Sequence, residues 1–279
     1  MKKLKGAWLK LFQSDNEAWW KRKKKLWEER DAEIVKINGK GEIYQKLRTA
    51  NAVEYEYLLH LTYLIKQDNH FHREEQVVPY RFQLIDGDIV NHHVIPSIRN
   101  QDEIKPIKPD DFREISEVRF SYDRRAAVQY AERWWNSYNP EYRTFDVDCT
   151  NYVSQCLRAG GAPMRGAPNR ENGWWYSGDN WSFSWAVAHS LRWYLAGSNQ
   201  GLKGKEVESA EELIPGDIIC YDFQGDGRWD HNTIVVSKDA YGMPLVNAHT
   251  DNSRHRYWSY EDSTAWTPNI QYKFFRIGE

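Results

Sequence analysis

The chain has 279 residues, with 38 Lys and Arg against 40 Asp and Glu, a formal net charge of −2 and a mean hydropathy of −0.82. That length buries a core without disulfide or metal staples, and 14 Trp, 17 Tyr and 10 Phe exclude a disordered chain. The balanced charge excludes a strongly basic nucleic-acid binder, and the longest apolar stretches, such as 58–65 with its His60, are far too short to span a bilayer.

The first thirty residues carry ten Lys and Arg against four Asp and Glu. Trp8, Leu11, Phe12, Trp19, Trp20, Leu26 and Trp27 recur there at roughly helical spacing. Two readings fit. One is a basic, aromatic helix lying on a membrane surface; the preferred one is a solvated helix whose Trp face packs on the rest of the protein. No apolar core of a signal peptide follows Met1-Lys2-Lys3. The expected location is the cytoplasm, or export with the leader absent from this sequence.

From 42 to 96 the texture turns to strands, at 42–47, 54–66, 77–85 and 88–95. They are punctuated by Asn38-Gly39, Gln67-Asp68-Asn69 and Asp86-Gly87, the last a hairpin signal. His60, His70, His72, His92 and His93 share no ligand spacing and read as strand and turn residues. Residues 1–96 are therefore expected to form a helix plus an antiparallel meander, loosely similar to cystatin-like or NTF2-like accessory domains. Pro96, Pro106 and Pro109 mark a linker over 97–121.

The remainder, 122–279, opens with helices expected at 124–135 and 150–159, the second ended by Gly160-Gly161 and Pro163. Strands are expected near 217–222, 231–237 and 243–249. Helices first and strands later make an α+β arrangement. Asp222, Gln224, Asp226 and Asp230 miss the spacing of a calcium loop and read as a turn.

Cys149, Cys156 and Cys220 are too few, and odd in number, for a disulfide framework, and no CxxC suggests zinc. Cys156 and Cys220 read as buried thiols. Cys149 opens a helix, where the dipole favours a thiolate. His231 opens one expected strand, while Asn247 and His249 share a face of the next. Nucleophile, base and a polar orienter, either Asn247 or His249, would follow the logic of a catalytic triad. Trp174, Trp175 and Trp185 are candidates for lining a substrate groove, with core packing the preferred role for the first two and a helix core for Trp185.

The run Asp148-Cys149-Thr150-Asn151-Tyr152-Val153-Ser154-Gln155-Cys156-Leu157, with Ala159-Gly160-Gly161-Ala162-Pro163-Met164, resembles the putative amidase domain family, related to the NlpC and CHAP groups of papain-like cysteine hydrolases. The resemblance continues through Ser184-Trp185, Leu213-Ile214-Pro215-Gly216-Asp217-Ile218-Ile219, Asp230-His231-Asn232-Thr233-Ile234-Val235-Val236 and His249-Thr250-Asp251, in the family's order. It implies a papain-like fold over 122–279, a Cys149 nucleophile, a His231 base and a third residue, His249 by the His-Thr signature or Asn247 by the NlpC pattern. It implies hydrolysis of amide or peptide bonds, with cell-wall peptides as the class, and neither cofactor nor metal. The backbone N–H of Cys149 is the expected oxyanion donor. Two other functions stand beside this one: a catalytically idle peptide- or glycan-binding module of the same fold, and a membrane-associated scaffold. A transfer of the acyl group to an amine is a close variant of the first.

Overall fold

The structure is a computed structural model that describes residues 2–14, 16–49, 52–95 and 120–278. The linker expected at 97–121 lies almost entirely outside the described residues. The fold is mixed α/β with mostly antiparallel sheet, and it divides into two compact units. One comprises residues 1–97 with 259–266, the other 98–258 with 267–279.

The first unit has two helices, α1 (Lys2–Gln13) and α2 (Ala18–Glu28), where the sequence suggested one. They are followed by a four-stranded antiparallel meander, β1 (Ala32–Arg48), β2 (Val53–Gln67), β3 (His70–Ile85) and β4 (Asp88–Val94). Alternation along β2 buries Tyr57, Leu59, Leu61, Tyr63 and Ile65 on one face. Trp8, Trp20, Leu26 and Trp27 are buried too, and the Trp8 indole donates to Tyr57 Oη at 2.8 Å. The aromatic face of the N-terminal helices is thus spent inside the unit. The β3–β4 hairpin turns on Asp86 (φ 49°) and Gly87 (φ 81°), the two left-handed residues a tight hairpin needs. Asn38-Gly39 makes no turn. It lies inside β1, paired with Thr62 and Leu61 of β2, and a Cβ on Gly39 would make only ordinary contacts with Leu61 and Leu59, at 3.5 and 3.7 Å.

In the second unit, α3 (Arg124–Trp134) and α4 (Cys149–Ala159) pack together, and both pack on β9. A short hairpin, β5 (Tyr176–Ser177) and β6 (Asn180–Trp181), leads to α5 (Phe183–Ala186) and α6 (Ala188–Gly197). The strands are β7 (Gly204–Val207), β8 (Ile218–Asp222), β9 (His231–Lys238), β10 (Pro244–Ala248), β11 (Asn252–Tyr257) and β12 (Gln271–Ile277). Their pairings, all antiparallel, give the order β11-β10-β9-β8-β12-β7. The core joins Tyr152, Val153, Cys156 and Leu157 of α4 to Ile218, Cys220, Ile234 and Val236 of the sheet. Ala127 and Ala131 let α3 approach closely. Among the described residues, no helix is long and apolar enough to cross a membrane.

Candidate active site

Cys149 is the first residue of α4 and is 1% exposed. The next residue, Thr150, accepts a hydrogen bond at 3.0 Å from Asn232 Nδ2, and Asn232 is the residue after His231 in β9. One buried bond therefore ties the first turn of the cysteine helix to the start of the histidine strand. His231 is 6% exposed and stands opposite Tyr221, with its ring 5.6 Å from that of Tyr221 and 6.0 Å from that of Phe223. Tyr221 is held by donating its hydroxyl to Trp258 O at 2.8 Å.

The two candidate orienters are engaged by other groups. Asn247 donates through Nδ2 to Glu132 Oε1 at 2.9 Å and accepts the His255 backbone N–H at 2.9 Å on its oxygen. His249 Nδ1 meets Asp148 Oδ2 at 2.7 Å, and its Nε2 meets Trp134 O at 2.7 Å. The His249 ring stacks on Tyr152 at 4.0 Å, with Tyr138 edge-on at 4.9 Å. These are the partners of the two residues the sequence offered as orienter.

A model of the putative amidase domain matches residues 121–275. The chain belongs to this family. The Bacillus subtilis (strain 168) protein YhbB, described as uncharacterized, is 48% identical over 263 residues, covering 92% of this chain and 85% of YhbB. YjcM of the same organism, also described as uncharacterized, is 32% identical over 140 residues, which is 47% of this chain and 31% of YjcM. No solved structure matches.

Within the amidase domain, the three Trp proposed for a groove are core residues. Trp174 and Trp185 are fully buried and pack at a tilt with centroids 4.8 Å apart, while Trp175 is 2% exposed. Each indole N–H donates internally: Trp174 to Ser154 Oγ at 3.0 Å, Trp175 to Asn169 O at 3.0 Å, and Trp185 to Asn151 Oδ1 at 2.8 Å. Gly173 turns the chain toward them in the left-handed region (φ 69°), and a Cβ there would fall 2.0 Å from Arg165 O. Cys156 and Cys220 are free and buried, and burial pushes both thiols well above the usual range. The Asp222 carboxylate closes the β8–β9 turn by accepting the N–H groups of Gly225 (2.7 Å), Asp226 (3.3 Å) and Gly227 (2.7 Å).

Glu132, Asp148 and Asn151 hold Asn247, His249 and Trp185 by hydrogen bonds and were given no role by the sequence. Asp148 is adjacent to Cys149 and could have been suspected; Glu132 lies on an exposed-looking helix face with no local signal. Burial alone would raise the Glu132 carboxyl. Hydrogen bonds from His255, Arg254 and Asn247 more than offset that and bring it down to about 2 from 4.5. Because the folded value is the lower one, its contribution is complete above pH 4.5 and is lost as pH falls toward 2. With the side chain 26% exposed, solvent screening reduces the effect to the order of 2 kcal/mol. Melting temperatures measured between pH 5 and 3 should fall less steeply in Glu132→Gln than in the wild type; parallel curves would refute this.

Proposed function

We propose that the protein is a cysteine-dependent hydrolase of amide bonds, with Cys149 as nucleophile, His231 as general base and peptide amides, including those of cell walls, as the substrate class. The observation that supports it is the Thr150–Asn232 bond, made by the residues that directly follow Cys149 and His231. Alternation along β9 sends His231 and Asn232 to opposite faces, so this reading requires thiol and imidazole to meet around the end of the strand rather than across its α4 face. A cysteine at a helix N-terminus followed in chain order by a histidine on an antiparallel strand is also the papain-like, NlpC and CHAP arrangement. No third residue is assigned.

His231 takes the Cys149 proton, and the thiolate adds to the amide carbonyl, whose oxygen becomes an oxyanion facing the N-terminal amides of α4. The C–N bond breaks as His231 protonates the leaving amine. Water, deprotonated by His231, then hydrolyses the thioester and releases the acid and the thiol. The N-terminal unit acts as an accessory domain that positions the hydrolase or binds a partner.

The test is the pH-dependence of iodoacetamide labelling, read by peptide mass spectrometry over the three cysteines. Cys149 alone should label near pH 6 and lose that reactivity in His231→Ala, since an ordinary thiol ionises only at about 8.5. Equal labelling of Cys149, Cys156 and Cys220, or labelling of Cys149 only above pH 8, would sink the reading in favour of an idle binding module.

A further inference from the structure

Two helices of the second unit begin on an aspartate, and the two aspartates behave differently. Asp123 caps α3 in the ordinary way, its Oδ1 accepting the Ala126 N–H at 2.9 Å. Asp148 stands at the same position of α4, yet its side chain caps none of the helix's amides. Its buried carboxylate is turned to other partners instead. Oδ1 accepts the Phe145 N–H at 3.0 Å and Asn151 Nδ2 at 2.9 Å, and Oδ2 meets His249 Nδ1 at 2.7 Å. His249 is anchored from its far side. A carbonyl oxygen only accepts, so Nε2 must carry a proton toward Trp134 O at the C-terminal end of α3. The carboxylate of Asp148 and the Tyr152 ring at 4.0 Å complete a site that fixes the imidazole on three sides.

We infer that His249 is a positioning residue that holds the Asp148 carboxylate off the N-terminus of α4 and so keeps the helix's first amides open for the oxyanion. This rests on the proposed role of Cys149. An aspartate left to itself at an N-cap accepts from the second or third helical amide. There it would both occupy the donors and place a negative charge where another develops in the transition state. The inference separates two properties of Cys149. Alkylation by iodoacetamide needs only the thiolate. Acylation by p-nitrophenyl acetate also forms an oxyanion, as the acetyl group moves from oxygen to Sγ and p-nitrophenolate leaves.

The experiment uses the full chain with p-nitrophenyl acetate as acyl donor, following the p-nitrophenolate burst and acetylation of Cys149 by mass spectrometry. His249→Phe keeps a ring against Tyr152 and removes the partner of Asp148 Oδ2, leaving that oxygen to turn to the helix amides while Oδ1 stays on Phe145 and Asn151. It should slow acylation by about a hundredfold, the usual cost of losing one oxyanion donor, while iodoacetamide labelling stays within about twofold. Removing the carboxylate as well, in His249→Phe/Asp148→Ala, should restore acylation to within about tenfold of the wild type. Wild-type acylation in His249→Phe, or no recovery in the double variant, overturns the inference. A wild type that is never acetylated on Cys149 overturns the proposed function with it, a different result from a labelled wild type with an indifferent His249 variant.

Discussion

Lys23→Met is expected to destabilise the N-terminal unit by about 3–5 kcal/mol, the range for breaking a buried ion pair from one side. Lys23 is fully buried on α2, bonded to Glu74 of β3 and, at 2.9 Å, to Asp262 Oδ2, with its ammonium 4.5 Å from the centre of the Tyr63 ring. Without the cation two buried carboxylates face each other, and neither can be resolvated without opening the unit. The loss should be read by hydrogen exchange over α2, β2 and β3 in the full chain, because a chain of two units need not unfold in one step. Unchanged protection of those elements would refute the claim. Lys23→Met/Glu74→Leu/Asp262→Leu should recover much of the protection, since a well-packed apolar replacement of a buried ionic cluster is often neutral. The same cluster explains how residues 259–266 join the N-terminal unit: Asp262 meets Lys23, and Arg22 donates to the carbonyls of Glu261 (2.6 Å) and Ser263 (2.7 Å).

Trp185→Ala should cost about 3–5 kcal/mol, the range for emptying a large aromatic site in a packed core. The indole is fully buried between Trp174 at 4.8 Å, Tyr176 at 5.4 Å and Tyr142 at 5.8 Å. The milder Trp185→Phe fills much of the space but removes the donor to Asn151 Oδ1, leaving a buried acceptor unpaired at about 1–3 kcal/mol. Asn151 in turn holds Asp148, so Trp185→Phe should also slow acylation of Cys149 without changing its alkylation. A groove residue would behave otherwise, raising KM at unchanged melting temperature. That result would return Trp185 to the substrate-binding role.

Local chemistry made much of this molecule legible. Asp86-Gly87 and Gln67-Asp68-Asn69 separate strands where the sequence indicates, because left-handed φ and side-chain-to-backbone bonds are properties of a few neighbouring residues. The α4 boundaries are readable from Cys149 and the Gly160-Gly161 stop for the same reason. Asn38-Gly39 misleads, since the pairing of β1 with β2 on both sides carries the dipeptide straight through as strand. The strands β7, β11 and β12 escape a reading of the sequence because their character comes from pairing with distant strands: Phe275 lies opposite Glu206 and Ile218.

The ordered motifs from Asp148 to Asp251 are enough to show the family, and they name Cys149, His231 and either His249 or Asn247 as candidates. The surroundings of His249 are not legible in them. Its partners, Asp148 and Trp134, lie 101 and 115 residues away, and only the packing of α3, α4 and the end of β10 brings two acceptors to the two nitrogens of one ring. The same holds for Glu132, whose partners Asn247, Arg254 and His255 all come from the opposite end of the unit's sequence. Spacing along a chain reports backbone conformation over a turn or two. Which polar groups satisfy one another inside a core is decided by where the chain returns, and that depends on the whole fold.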